Sequence, residues 1–280
     1  MNYQEILNHG SKILKLNDIK SFNLDSEILL SLTLKIDRSQ LLLNLDKRIE
    51  SKEKKNFYNF IERRSNNEPI AYIRGYKEFW KSEFKVDKNV LIPRPDTETL
   101  IEQVLNELDI NSSKKILDIG TGSGCIIISI LKERKRCLGV GIDISKKAVK
   151  LAKYNAKIQH IENRIKFLNS DIDNFYGDKY DLIISNPPYI EQYKINGLEK
   201  DIKYHEPKVA LDGGIDGFSK IKLIIKKSST LIKKKGKLFL ELGINQTRET
   251  LKILNLNGFY KTKVIKDLAN KNRCIISTKI

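Results

Sequence analysis

The chain has 280 residues, 40% of them hydrophobic, and a formal net charge of +17, which is enough length and apolar content for one large domain or two. No apolar run reaches membrane-spanning length, Met1-Asn2-Tyr3-Gln4-Glu5 has no signal layout, and Cys125, Cys137 and Cys274 lack C-x-x-C pairing. A membrane partner and a disulfide framework are excluded, and a cytoplasmic protein with buried thiols is expected.

Lysines are spread along the chain with Ile and Asn, not gathered in a tail. The basic charge therefore permits a ribosomal environment without marking a specific nucleic-acid binder. His9, His160 and His205 are scattered with no ligand spacing, so no metal is expected.

The first 75 residues read as helical. Tyr3, Ile6, Leu7, Ile13 and Leu14 recur at helical spacing, then Leu24, Ile28, Leu29 and Leu32, then Leu41 and Leu42 behind Asp37 as a cap, then Phe57, Phe60 and Ile61. Glu78-Phe79-Trp80 and Phe84-Lys85-Val86 then predict two short strands of a hairpin, so that 1–75 is a helical domain and 76–92 a hairpin linker. From residue 93 to 280 strands and helices alternate, which predicts an α/β fold: a mainly parallel sheet with helices on both faces. Two final strands near 260–265 and 273–278 have no helix between them and should close the sheet edge as an antiparallel hairpin.

Lys115-Ile116-Leu117-Asp118-Ile119 runs as a strand into Gly120-Thr121-Gly122-Ser123-Gly124 and an apolar helix over 126–131. Glycines let a backbone approach a ligand closely and take positive φ, while the helix start directs N–H groups at it. A dinucleotide fingerprint would place a third glycine at 125, where this chain has Cys125. The next strand, 137–142, ends at Asp143 about twenty residues on, where a carboxylate accepts from ribose hydroxyls. The strand after it, 165–169, ends at Ser170-Asp171, a second carboxylate placed for an adenine amino group. Both aspartates also suit helix N-caps. Lys233-Lys234-Lys235 is expected as a solvated helix end.

Asn186-Pro187-Pro188-Tyr189 follows the apolar run 180–185. Neither proline has an N–H, and each residue before a proline is pushed toward extended backbone. The Asn186 side-chain carbonyl and a proline backbone carbonyl can then receive both hydrogens of a planar –NH2 group, with Tyr189 as an aromatic wall. This is an arrangement for methyl transfer to nitrogen, and a plain Pro-Pro turn is the alternative for the tetrapeptide alone.

Three further segments extend the pattern: Glu68-Pro69-Ile70-Ala71-Tyr72-Ile73-Arg74-Gly75, Val90-Leu91-Ile92-Pro93-Arg94-Pro95-Asp96-Thr97-Glu98 and Tyr204-His205-Glu206-Pro207. With the glycine turn, Asp143-Ile144-Ser145, the Asn-Pro-Pro-Tyr stretch and Leu240-Glu241-Leu242-Gly243, the chain from about residue 64 onward resembles the protein-(glutamine-N5) methyltransferases of bacterial peptide chain release factors.

The resemblance implies a class I, Rossmann-like methyltransferase with S-adenosyl-L-methionine as cofactor, and a monomer is expected. The helical domain would help recognise the release factor, whose GGQ glutamine accepts the methyl. It further implies that Gly120, Thr121, Gly122, Ser123 and Gly124 hold the methionine part and Asp143 the ribose. Asp171 and Ile172 would border the adenine. Asn186, Pro187, Pro188 and Tyr189 would bind the glutamine, with Asn186, Pro187 and Tyr189 acting in catalysis and Asn186 also touching the cofactor. Ile172 departs from the aromatic residue often found there in the family. A ribosomal-protein glutamine or a DNA or RNA amino group remain as alternative acceptors.

Overall fold

The computed structural model describes residues 1–280, which fall into two units. The first contains residues 1–76 and Glu199–His205, and the second 77–198 and 206–280.

In the first unit, α1 (Tyr3–Leu16), α2 (Phe22–Leu34), α3 (Arg38–Leu42), α4 (Ser51–Ser65) and α5 (Ile70–Arg74) follow one another. Helix α1 starts on a capping box in which Asn2 accepts from the Glu5 N–H and Glu5 accepts from the Asn2 N–H, satisfying two donors that a helix start leaves open. Its periodic face buries Ile6, Leu7 and Leu14 against Leu29, Leu30, Leu41, Phe57 and Ile61. Each such side chain contributes about 1.5–3 kcal/mol on burial. Inside this unit the Arg64 Nε donates to Asp25 at 2.7 Å, and both residues are buried. The short helix α9 (Lys200–His205) belongs to the same unit, and His205 Nε2 lies 3.0 Å from the Asn66 carbonyl.

The second unit is built on a seven-stranded sheet of β3 (Lys115–Ile119), β4 (Leu138–Asp143), β5 (Ile165–Asn169), β6 (Tyr180–Ser185), β7 (Ile232–Glu241), β8 (Phe259–Lys266) and β9 (Asn272–Lys279). Their order across the sheet is β5-β4-β3-β6-β7-β9-β8, parallel from β5 to β7 and antiparallel at β9 and β8. The central strands are apolar on both faces because helices cover both. On one side α6 (Glu98–Asn106), α7 (Cys125–Glu133) and α8 (Lys146–Ile158) enclose a core with Ile116, Ile184 and Phe239. On the other, α10 (Ser219–Leu231) and α11 (Thr247–Leu256) cover Leu117, Ile183, Leu238 and Ile275. Helix α7 is buried from Cys125 to Leu131, which explains its lack of a polar face.

The hairpin of β1 (Tyr76–Phe79) and β2 (Ser82–Lys85) carries Phe79 and Phe84 into the first of these cores. The Lys85 N–H donates to Asn155 Oδ1 and Asn155 donates back to the Lys85 carbonyl, so the hairpin is fastened to α8. All three cysteines are free and buried. Lys233-Lys234-Lys235 departs from the helix-end expectation: α10 stops at Leu231 and the lysines lie in a bulge of β7. The pairing jumps there from Tyr180–Ile232 to Leu182–Lys237, and Lys235 takes φ 63°. No helix is long and apolar enough to cross a membrane.

Candidate active site

A cleft of about 170 Å³ lies in the second unit, at the C-terminal ends of β3, β4, β5 and β6, the usual position for ligands in a parallel sheet. The turn after β3 lines it with Gly120, Thr121, Gly122 and Ser123. Gly120 and Gly122 both have positive φ and present open space where a side chain would stand. Gly124 stands one step back from the cleft as the N-cap of α7, at φ 81°. A Cβ there would lie 2.9 Å from Ile128 and 3.2 Å from Phe167, so glycine is required for packing as well as for conformation.

Below this turn, Asp118 is fully buried and accepts from the Thr121 hydroxyl at 2.7 Å. Burial pushes its carboxyl up to about 7, with the Thr121 hydrogen bond opposing and the Asp143 charge adding to the rise. Asp143 lines the cleft and is held by two backbone donors, the Gly122 N–H at 2.9 Å and the Ser145 N–H at 2.8 Å. The cap of α8 is Ser145, which accepts from the Ala148 N–H, so Asp143 is not used as that helix's cap. Burial raises the Asp143 carboxyl, opposed by these two hydrogen bonds. Asp171 and Ile172 also line the cleft. Asp171 does act as a cap, accepting from the Asp173 N–H at 3.2 Å over the 3-10 turn Ile172–Asn174. Ile172 packs with Phe175 in the core and gives the cleft a wall of aliphatic carbon there.

Asn186 and Pro188 line the cleft as well. The Asn186 Nδ2 donates to Thr97 Oγ1 at 3.2 Å, which leaves the side-chain oxygen available as an acceptor. Pro187 and Tyr189 differ from the expectation, since neither lines the cleft. Consecutive extended residues alternate direction, so when Asn186 and Pro188 face the cleft, Pro187 is buried and Tyr189 turns toward β7. The Tyr189 hydroxyl reaches Glu241 Oε1 at 3.4 Å, and burial with the Glu241 charge raises its pKa beyond the usual phenol range.

Apart from Arg94, which as a basic residue between two prolines is expected to pair with a carboxylate, several residues around the cleft were not singled out individually from the sequence. Leu91, Pro93 and Arg94 line it from the Ile-Pro-Arg-Pro segment, and Pro207, Val209 and Ala210 from the segment after α9. The two segments are joined by an ion pair between Arg94 Nη2 and Glu206 Oε1. Thr97, which lines the cleft beside Asn186, and Glu241, which does not line it, are both nearly inaccessible to solvent. Glu241 had a signal: a carboxylate set in the apolar run Leu238-Phe239-Leu240 and Leu242.

The chain matches two family models, one described as the PrmC N-terminal domain over residues 5–75 and one as the methyltransferase small domain over 95–202. A release factor glutamine methyltransferase of Clostridium acetobutylicum is 36% identical over 282 residues, covering 100% of this chain and 99% of that protein. Another with the same name, from Clostridium botulinum, is 38% identical and covers 100% of both. Among solved structures, a methyltransferase from Pyrococcus furiosus superposes with a TM-score of 0.53 at 16% identity, over 70% of this chain and 88% of that one, a likeness of fold.

Proposed function

Because this chain belongs to the release factor glutamine methyltransferases, we propose that its cleft is where a methyl group passes to the side-chain amide nitrogen of a release factor glutamine. S-adenosyl-L-methionine, when bound, supplies the electrophilic methyl. The cleft suits it: open-faced glycines at 120 and 122, a pre-oriented carboxylate at Asp143, and Asp171 beside the aliphatic Ile172. In this reading Gly120, Thr121, Gly122 and Ser123 take the methionine part, Asp143 the ribose hydroxyls, and Asp171 with Ile172 the adenine. Gly124 acts by shaping the turn.

The single observation that carries the acceptor side is the Asn186–Thr97 hydrogen bond, because it commits the Asn186 –NH2 and leaves Oδ1 to receive. An amide nitrogen is a poor nucleophile, its lone pair being delocalised into the carbonyl. Donating its two N–H bonds to Asn186 Oδ1 and a proline backbone carbonyl of the same loop fixes the nitrogen and favours the pyramidal geometry needed for in-line attack. The proton becomes acidic only as the N–C bond forms, so no strong base is needed beforehand. Holding both reactants in line can remove about 7–11 kcal/mol of barrier. Tyr189 serves by anchoring the acceptor loop, packing on the core beneath it and reaching Glu241. We further assign the first unit to gripping the protein substrate, supported by its exposed Leu16, Leu24 and Leu43.

The test is methyl transfer from labelled S-adenosyl-L-methionine to a release factor, to the same factor with its acceptor glutamine changed to asparagine, and to DNA. Label should enter only the first. Asn186→Ala should reduce kcat by about a hundredfold, as expected when a donor is left unpaired in a dry site, with cofactor affinity retained. Stoichiometric labelling of a DNA base, or an undiminished rate on the asparagine variant, would overturn the assignment.

A further inference from the structure

Next to Asn186 stand Thr97, which also lines the cleft, and Glu241, a buried carboxylate that the reaction so far leaves unused. Thr97, 3% exposed, accepts the Asn186 Nδ2–H through Oγ1 at 3.2 Å. A hydroxyl that accepts through its oxygen still has its own proton to place. The acceptor nearby is Glu241, 2% exposed, whose ionised form the Thr97 hydroxyl stabilises. Its Oε1 receives the Tyr189 hydroxyl at 3.4 Å, and its buried Oε2 has no hydrogen-bond partner.

We propose that Glu241 is a positioning residue: as a carboxylate it accepts a hydrogen bond from the Thr97 hydroxyl, turns the Thr97 lone pair toward the Asn186 –NH2, and so keeps the Asn186 carbonyl oxygen facing the substrate amide. This rests on the glutamine-amide reading of the cleft. Protonation reverses the relay. A Glu241 carboxylic acid donates to Thr97 Oγ1, and the Thr97 proton then turns to Asn186. The Asn186 amide flips, Oδ1 accepts from Thr97, and its –NH2 meets the –NH2 of the substrate.

The switch falls near neutrality. Burial pushes the Glu241 carboxyl up to about 7; the Thr97 hydroxyl, the Arg273 guanidinium and the Tyr189 hydroxyl oppose the rise, and the Asp96 charge adds to it. The groups facing it are Asp96 and Thr97 from the turn before α6, Tyr189 from the loop after β6, and Arg273 and Cys274 from β9, with Arg94 acting on Tyr189. Arg273 is itself held at 3.0 Å by both Asp96 and Asp267, which keeps its charge from neutralising Glu241 outright.

The test measures kcat against pH with cofactor and release factor saturating, for the parent, Glu241→Gln, Thr97→Val and Thr97→Ser. Melting curves and cofactor calorimetry check that each is folded and loaded. In parallel, NMR follows the Glu241 carboxyl carbon and the Asn186 side-chain nitrogen in the cofactor-free parent and Thr97 variants.

The parent kcat should fall as pH drops through about 7. Thr97→Val should lose about tenfold in kcat above neutrality, the equivalent of one hydrogen bond, and its acid limb should flatten with cofactor affinity unchanged. Thr97→Ser should restore both rate and limb, and Glu241→Gln should show a low, flat profile. The Asn186 resonance should move with the Glu241 midpoint in the parent and cease to do so in Thr97→Val. Asp118, also pushed up to about 7, lies beneath the glycine turn and should register in cofactor affinity instead. The same acid limb in Thr97→Val as in the parent would overturn the relay, as would an Asn186 resonance indifferent to Glu241, which needs no variant at all. Failure of the parent to methylate any release factor would sink the functional reading, and the NMR titration would still decide the relay separately.

Discussion

Asp143 is fixed by the Gly122 and Ser145 N–H groups, and each of its oxygens keeps a lone pair for a ligand hydroxyl. Replacing it by Ala removes charge-assisted bonds that are already oriented, so Asp143→Ala should weaken S-adenosyl-L-methionine binding by about 1.5–3 kcal/mol. Calorimetry on the folded variant checks this, and unchanged affinity would remove Asp143 from the ribose position. At this scale the sequence was informative where a residue type is unusual for its place. A carboxylate closing an apolar strand, or an Asn before two prolines, stands out from its neighbours. The sequence was silent where a role depends on direction. That Tyr189 turns to Glu241 while Asn186 and Pro188 face the cleft follows from alternation along a backbone whose starting orientation only the folded sheet sets. The link from Thr97 to Asn186 joins residues 89 positions apart, beyond any local pattern.

Among the elements, the parallel strands and buried helices were legible because their apolar runs are continuous and punctuated by glycine and aspartate. The β7 bulge was not, since three lysines after a helical pattern fit a helix end as well as a strand start. Gly141 in β4 shows what the tight layer between sheet and helices requires. A Cβ at Gly141 would stand 2.6 Å from two Phe167 ring carbons and 2.9 Å from Thr121 Oγ1, closer than real contacts allow. Phe167 is 4% exposed and has little room to retreat. Gly141→Ala should therefore destabilise the second unit by about 1–3 kcal/mol, read as a lowered melting temperature. A melt indistinguishable from the parent's would show that the ring can move aside.

For the molecule as a whole, the division into two units makes damage separable. The Asp25–Arg64 pair is buried in the first unit, whereas every residue lining the cleft lies in the second. Asp25→Ala strands a guanidinium among apolar side chains, so the first unit should lose about 3–5 kcal/mol. Cofactor affinity should stay at the parent value while methylation of a whole release factor falls. Parallel calorimetry and transfer assays check the contrast, and equal losses in both would mean the units do not separate this way. The sheet order carries a consequence for how the protein is made. β8 leaves the ribosome before β9, yet β9 is the strand that sits against β7, with β8 outside it. Until residues 272–279 follow, β7 keeps a bare edge and β8 has no neighbour to pair with, an interval in which a growing chain is open to wrong partners. Those same residues bring Arg273 to Asp96 and Asp267 beside the buried Glu241. The nascent polypeptide thus gains the neighbour of β7 and the counter-charge beside Glu241 in one step, so the filling of the sheet and the pairing of a buried carboxylate arrive together.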